Sequence, residues 1–121
     1  MIGIDIIEIS RIEEMIDDTR FIKKIFTTKE QDYCNKALVK NVRASRYAVR
    51  FAAKEAVFKA LDCLEFLAFS EIEVFSEETG KPILKFYGDT KKRIKKENIN
   101  IHLSLSHCHS FATATALVEK T

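Results

Sequence analysis

The residues best suited to chemistry stand in two stretches far apart in the chain. One is the run Arg50-Phe51-Ala52-Ala53-Lys54-Glu55-Ala56-Val57-Phe58-Lys59. On a helix turning by about 100° per residue, Tyr47, Phe51, Val57, Phe58 and Leu61 form an apolar sector, and Arg50 and Lys54 fall inside it. A cation in an apolar sector needs a partner or a ligand. Glu55 and Lys59 lie on the adjoining flank beside Ala48 and Ala52, where small side chains would let a ligand's phosphates come close. A plain reading competes. Glu55 and Lys59 are an i,i+4 pair worth only about 0.2–0.5 kcal/mol on an exposed face, and long cationic stems can lie along apolar surface with their heads in water. The other stretch holds Asp5, which interrupts a series of isoleucines. A carboxylate buried without a partner is costly. A hard cation such as Mg²⁺ would compensate it, because that ion takes carboxylate oxygens and completes its shell with water and substrate phosphates. Gly3, on the same strand face, would clear the approach. Backbone N–H groups or an arginine would satisfy Asp5 equally well.

A third group closes a later strand. Ser104-Leu105-Ser106-His107 brings hydroxyls and an imidazole to a turn, where they could reach a ligand and where the imidazole could take up a proton near neutrality. His107, Cys108 and His109 are adjacent and raise the question of zinc. The chain has no Cys-x-x-Cys pair, and consecutive strand residues point to opposite faces, so three such ligands would not converge. There is no glycine-rich phosphate loop. Phosphates would therefore fall to a metal and to the cations Arg50, Lys54, Lys59 and the turn residue Lys81.

These residues need a frame. Residues 1–9 read as a strand, with Ile2, Ile4 and Ile6 on one face and Gly3, Asp5 and Ile7 on the other. Ser10 with Glu13 three residues on has the form of a capping box for a short helix over 10–17. Residues 21–26 continue in helical pieces, and Thr27 or Thr28 can cap a helix over 29–38. The long helix spans 44–61. Strands at 72–75 and 83–87 flank a turn containing Gly80 and Pro82. Residues 89–98 form a basic helix whose plainest role is a solvated face. Then Ile99, Ile101, Leu103 and Leu105 alternate with Asn100, His102, Ser104 and Ser106 as in a half-buried antiparallel strand. A last strand follows over 111–118. The predicted class is α+β, with antiparallel strands packed on one long helix plus short helices.

With 121 residues the chain has the size of a single domain, 1–121. Twenty Lys plus Arg against 18 Asp plus Glu give no global field that would call for nucleic acid. No apolar run reaches the length of a membrane span, and the N-terminus lacks the pattern of an export signal. Cys34, Cys63 and Cys108 are odd in number and widely spaced, which suits a reducing compartment; a cytoplasmic location is expected.

The chain resembles the short-form 4′-phosphopantetheinyl transferases, the holo-[acyl-carrier-protein] synthase group. The likeness rests on Gly3-Ile4-Asp5-Ile6-Ile7-Glu8-Ile9 with Arg11, on Arg50-Phe51-Ala52-Ala53-Lys54-Glu55-Ala56 with Lys59, on Gly80-Lys81-Pro82, and on Leu103-Ser104-Leu105-Ser106-His107. These occur in the family's order and cover almost the whole chain. The resemblance implies a phosphopantetheinyl transferase fold and transfer of 4′-phosphopantetheine from coenzyme A to a serine of an apo acyl carrier protein, for fatty acid biosynthesis. It implies that Asp5 and Glu55 bind Mg²⁺, that Lys59 neutralises phosphate charge, that Arg50, Lys54 and Lys81 contact the coenzyme, and that His107 lies near its 3′-phosphate or the reacting centre. Glu55, or else His107, would take the serine proton. The acidic carrier would dock on the first helical region, at Arg11, Met15, Arg20, Phe21 and Lys24. A homotrimer with sites between subunits is implied as well. Two departures stand out. The family's glycine-rich segment after the long helix is replaced by Asp62-Cys63-Leu64-Glu65-Phe66-Leu67-Ala68, and Asp17 and Asp18 add acid to the docking region. The alternatives are a non-catalytic module binding coenzyme A or carrier protein, suggested by the altered segment, and an RNA-binding domain using the basic residues between Lys91 and Lys96.

Overall fold

The computed structural model describes residues 1–61 and 67–121. Strand β1 (Ile2–Glu8) leads directly into helix α1 (Ile9–Met15), followed by α2 (Thr19–Ile25), α3 (Thr28–Asn35) and the long α4 (Lys40–Ala60). A 3₁₀ turn (Phe69–Glu71) precedes the hairpin β2 (Ile72–Ser76) and β3 (Pro82–Phe86), then α5 (Gly88–Lys96), β4 (Ile99–His107) and β5 (Phe111–Lys120).

Strands β1, β5 and β4 form an antiparallel sheet in that order, and β2 with β3 forms a second, two-stranded one. In the first sheet Asp5 pairs with Ala114 and His107 with Ala112. The inner face carries Gly3, Ala112, Ala114 and Ala116, and it packs on Ala52, Ala53, Ala56 and Ala60 of α4. Small residues on both sides bring helix and sheet unusually near. A Cβ added at Gly3 would lie 2.0 Å from the Ala56 carbonyl oxygen. Gly3 is therefore required by this contact, and the expectation that it clears a ligand's approach is corrected. The same holds for Ala48 and Ala52, which are fully buried instead of lining open space.

A second apolar cluster, with Ile9, Ile12, Ile22, Phe26, Cys34 and Tyr47, holds the first three helices on the N-terminal half of α4. The local signals explain most of these elements. Thr27 accepts from the Glu30 amide while Glu30 accepts from the Thr27 amide, a complete capping box at the start of α3. Asp18 caps α2 by accepting from the amides of Arg20 and Phe21. The Ser10–Glu13 box does not form. Glu8 holds the cap position and the Ile9 amide donates to the Ser110 carbonyl, so the strand's pairing continues up to the helix and leaves no cap for Ser10 to fill. Helix α4 begins at Lys40, before the expected 44; its N-cap Val39 makes no side-chain cap bond, so nothing local marks the start.

Candidate active site

Asp5 points from the inner face of β1 toward α4. Its side chain is 15% exposed, and its Oδ1 accepts from the Lys59 ammonium at 3.0 Å. Lys59 also donates to the Ile4 carbonyl at 3.1 Å. Glu55, one turn earlier on α4, is close enough to Asp5 that the two carboxylates repel. Burial pushes the Glu55 carboxyl above its usual range, the Asp5 charge pushes it further, and Lys59 pulls it partly back. The structure thus brings together Asp5, Glu55 and Lys59. Two hard carboxylates with a half-exposed ammonium beside them suit a small divalent cation that leaves coordination positions for other oxygens. Among the described residues no three His, Cys, Asp or Glu side chains form a metal-ligating group. A metal held here would therefore take the rest of its shell from water or substrate.

Arg50 and His107 meet elsewhere. With Tyr33, Ser45, Arg46 and Pro82 they line a cavity of about 350 Å³ between α4, the β2–β3 turn and the end of β4. Arg50 is buried; its Nε donates to the Val74 carbonyl at 3.1 Å, and its guanidinium lies 4.6 Å from the centroid of the Tyr33 ring. Arg46 stands 4.5 Å from the same centroid and donates to the Tyr33 carbonyl. No carboxylate lines this cavity, and none of the ion pairs among the described residues involves Arg46, Arg50 or His107. The result is a positive recess with Val42, Val49 and Leu105 as apolar walls, suited to a phosphate attached to a less polar body. Sequence reading missed Arg46 and Tyr33 here. The only available signal was that Arg46 and Arg50 are four apart and so share a helix face.

Lys54 is the clear correction. Its ammonium is fully buried, pairs with Glu30, and donates to the carbonyls of Ile25 at 2.7 Å and Phe69 at 3.0 Å. All three donors are used. No donor remains for a nucleotide, so the partner that its apolar surroundings demanded is Glu30 and two carbonyls. Lys81 is exposed on the hairpin turn beside a groove between β3 and β4, and its chain neighbours Gly80 and Pro82 line the recess of Arg50 and His107. Arg11, Met15, Arg20 and Lys24 are exposed on α1 and α2, while Phe21 is half-buried against Phe26 and Phe51. Asp17 is paired with Lys40 at 2.9 Å and Asp18 is occupied as a helix cap, so neither acid is left as a free counter-charge on that surface. Of the altered segment 62–68, residues 62–66 lie outside the described residues. On the basic helix, Arg93 pairs with Glu97 and Lys92 with Asp89, so part of its charge is met locally.

Two motif-bearing flanks on one long helix, held against a three-stranded antiparallel sheet, define a class, and known proteins share it. The family model of the 4′-phosphopantetheinyl transferase superfamily matches residues 1–116, and the chain belongs to that family. A holo-[acyl-carrier-protein] synthase of Clostridium tetani is 41% identical, over 98% of this chain and 94% of its own length. One from Halothermothrix orenii is 42% identical, over 98% and 96%. The crystal structure of a holo-(acyl-carrier-protein) synthase from Bacillus anthracis in complex with CoA (3′,5′-ADP) matches with a TM-score of 0.83 at 36% identity, covering 99% of this chain and 96% of that one. The Helicobacter pylori enzyme in complex with coenzyme A matches with a TM-score of 0.82 at 30% identity, covering 98% and 100%. No helix among the described residues is long and apolar enough to cross a membrane.

Proposed function

We infer that the protein transfers 4′-phosphopantetheine from coenzyme A to a serine hydroxyl of an apo acyl carrier protein. The observation that carries this reading is the meeting of Asp5 and Glu55 across the β1–α4 contact with Lys59 beside them, in a chain whose relatives are named holo-[acyl-carrier-protein] synthase. In the reaction the serine oxygen bonds to the phosphorus that bears pantetheine. The bond from that phosphorus to the bridging oxygen of the diphosphate breaks, adenosine 3′,5′-bisphosphate leaves, and the serine proton passes to a base.

Asp5 and Glu55 would hold Mg²⁺, which supplies charge neutralisation at the diphosphate. Lys59 is poised to exchange its bond to Asp5 for one to a phosphate oxygen. Glu55, directly or through a water on the ion, is the favoured base because it stands beside Asp5 and Lys59 where the diphosphate would lie; His107 is the runner-up. Arg50 and His107, in the positive recess, would take the nucleotide end, with Lys81 nearby on the hairpin turn. The acidic carrier would dock on α1 and α2 through Arg11, Met15, Arg20, Phe21 and Lys24, an attraction that salt should weaken.

We further propose a homotrimer. Arg50 and Lys59 are nine residues apart on α4 and so face nearly opposite ways, yet one coenzyme must meet both sets. A neighbouring subunit would bring them together. The outer face of the sheet supports association: Ile2, Ile4 and Ile6 are 69%, 64% and 66% exposed, with Phe111 and Leu117 alongside. A cytoplasmic role in lipid synthesis, with residues 1–121 acting as one domain, fits the unpaired cysteines Cys34 and Cys108.

Incubation with coenzyme A, Mg²⁺ and an apo carrier protein should add one phosphopantetheine group, read by intact-protein mass spectrometry. Tight coenzyme binding with no mass gain on several carriers would instead support the non-catalytic module.

A further inference from the structure

Lys54 does not contact the surface, yet it joins the parts of the molecule that the reaction must coordinate. Its three donors reach three different elements. One goes to the carbonyl of Ile25, the last residue of α2; one to the carbonyl of Phe69, the first residue of the 3₁₀ turn; one to Glu30 on α3. Glu30 is itself fixed, since its second carboxylate oxygen accepts from the Val74 amide at 2.8 Å. Glu73, next to Val74, accepts from the hydroxyls of Thr27 and Tyr87. The lysine therefore sits at the centre of a fully bonded buried network, with the Phe26 ring 5.0 Å from its nitrogen. The residue that follows it in the chain is Glu55.

We propose that Lys54 is a positioning residue that couples the carrier-binding helix α2 to the turn of α4 carrying Glu55; this rests on the functional reading above. The Ile25 carbonyl is one of the terminal acceptors that a helix leaves without an internal partner, and the two residues beside it on α2, Lys24 and Phe21, are on the docking surface. A helix end held by a charged donor cannot slide against α4 without breaking a bond of the stronger kind. Docking on α2 and the placing of the carboxylate would thus share one mechanical element.

The test replaces the ion pair by neutral groups of similar length, Lys54→Met with Glu30→Gln, so that no lone charge is left buried. With the folded fraction checked by near-ultraviolet circular dichroism, the Kd for coenzyme A should stay within about twofold. The KM for the apo carrier should rise and kcat should fall, each by about tenfold, the size expected for losing a hydrogen bond from a charged group. A merely structural lysine would lower the active fraction and leave the carrier KM unchanged, and that result would overturn the proposal. Wild-type values of both carrier KM and kcat in the folded double variant would overturn it as well. Should the double variant not fold, Lys54→Met alone, in which Glu30 can take up a proton and stay neutral, is read in its place: a carrier KM equal to that of the wild type would overturn the proposal. Inactivity of the wild-type protein toward every carrier would instead count against the functional reading itself.

Discussion

Lys54 and Lys59 stand on the same helix little more than a turn apart, and they illustrate opposite uses of one side chain. Lys54 is enclosed, and burial alone pulls its ammonium toward lower proton affinity while Glu30 restores part of it. Lys59 is about half exposed, bound to Asp5 and one carbonyl, and free to exchange partners. Burial with complete bonding makes a joint; partial exposure with a replaceable partner leaves an ammonium that a ligand can reach, as the proposed function requires. Which role a lysine takes is decided by what the neighbouring elements offer it.

Breaking the joint should have the largest effect. Glu30→Ala leaves the Lys54 charge buried without its partner and is expected to cost about 3–5 kcal/mol, measured by urea unfolding. A loss below 1 kcal/mol would mean that the pair is unimportant to stability. On the other flank, Glu55→Gln should lower kcat by about 100-fold or more if the carboxylate acts as base. In the metal-free protein, kept so with EDTA, the same substitution should raise Tm at pH 8. Because the folded state raises the proton affinity of Glu55, ionising it works against folding, so the gain over wild type should shrink as pH falls through the Glu55 titration and the carboxylate becomes neutral. A lower Tm at pH 8 would contradict the repulsion between Asp5 and Glu55.

Smaller effects sharpen the contrast. Arg50→Lys removes the planar fork in the positive recess and should raise the KM for coenzyme A by about tenfold, as expected for one bond to a charged group, with kcat little changed. Lys92→Ala on the solvated helix α5 should change stability by less than about 0.5 kcal/mol. Calorimetry and steady-state kinetics on the two variants suffice.

The legible parts of the fold were those specified by neighbours in the chain. The alternation of β4, the turn residues of the β2–β3 hairpin, and the Thr27–Glu30 box each fix local geometry, and each element is present. The meeting of Asp5 with the Glu55–Lys59 flank was legible through the motifs and the acid's odd place among isoleucines. Lys54 was misread because its partner comes from α3, and no local pattern reports a pairing between two helices. Gly3 was misread for the same reason, since its need arises from α4 passing close by. Arg46 was overlooked because a cation on a helix looks alike whether it faces water or a recess completed by distant strands.

The backbone contact between Gly3 and Ala56 has a consequence for what the site can accept. The spacing of the strand that carries Asp5 from the helix that carries Glu55 is set by main chain against main chain at Gly3 and Ala56. Any residue larger than glycine at position 3 would wedge strand from helix and widen that gap. If these carboxylates hold an ion as proposed, the seam of small residues would set its tolerance for ionic radius along with the oxygens, and a wedged variant would favour a larger ion.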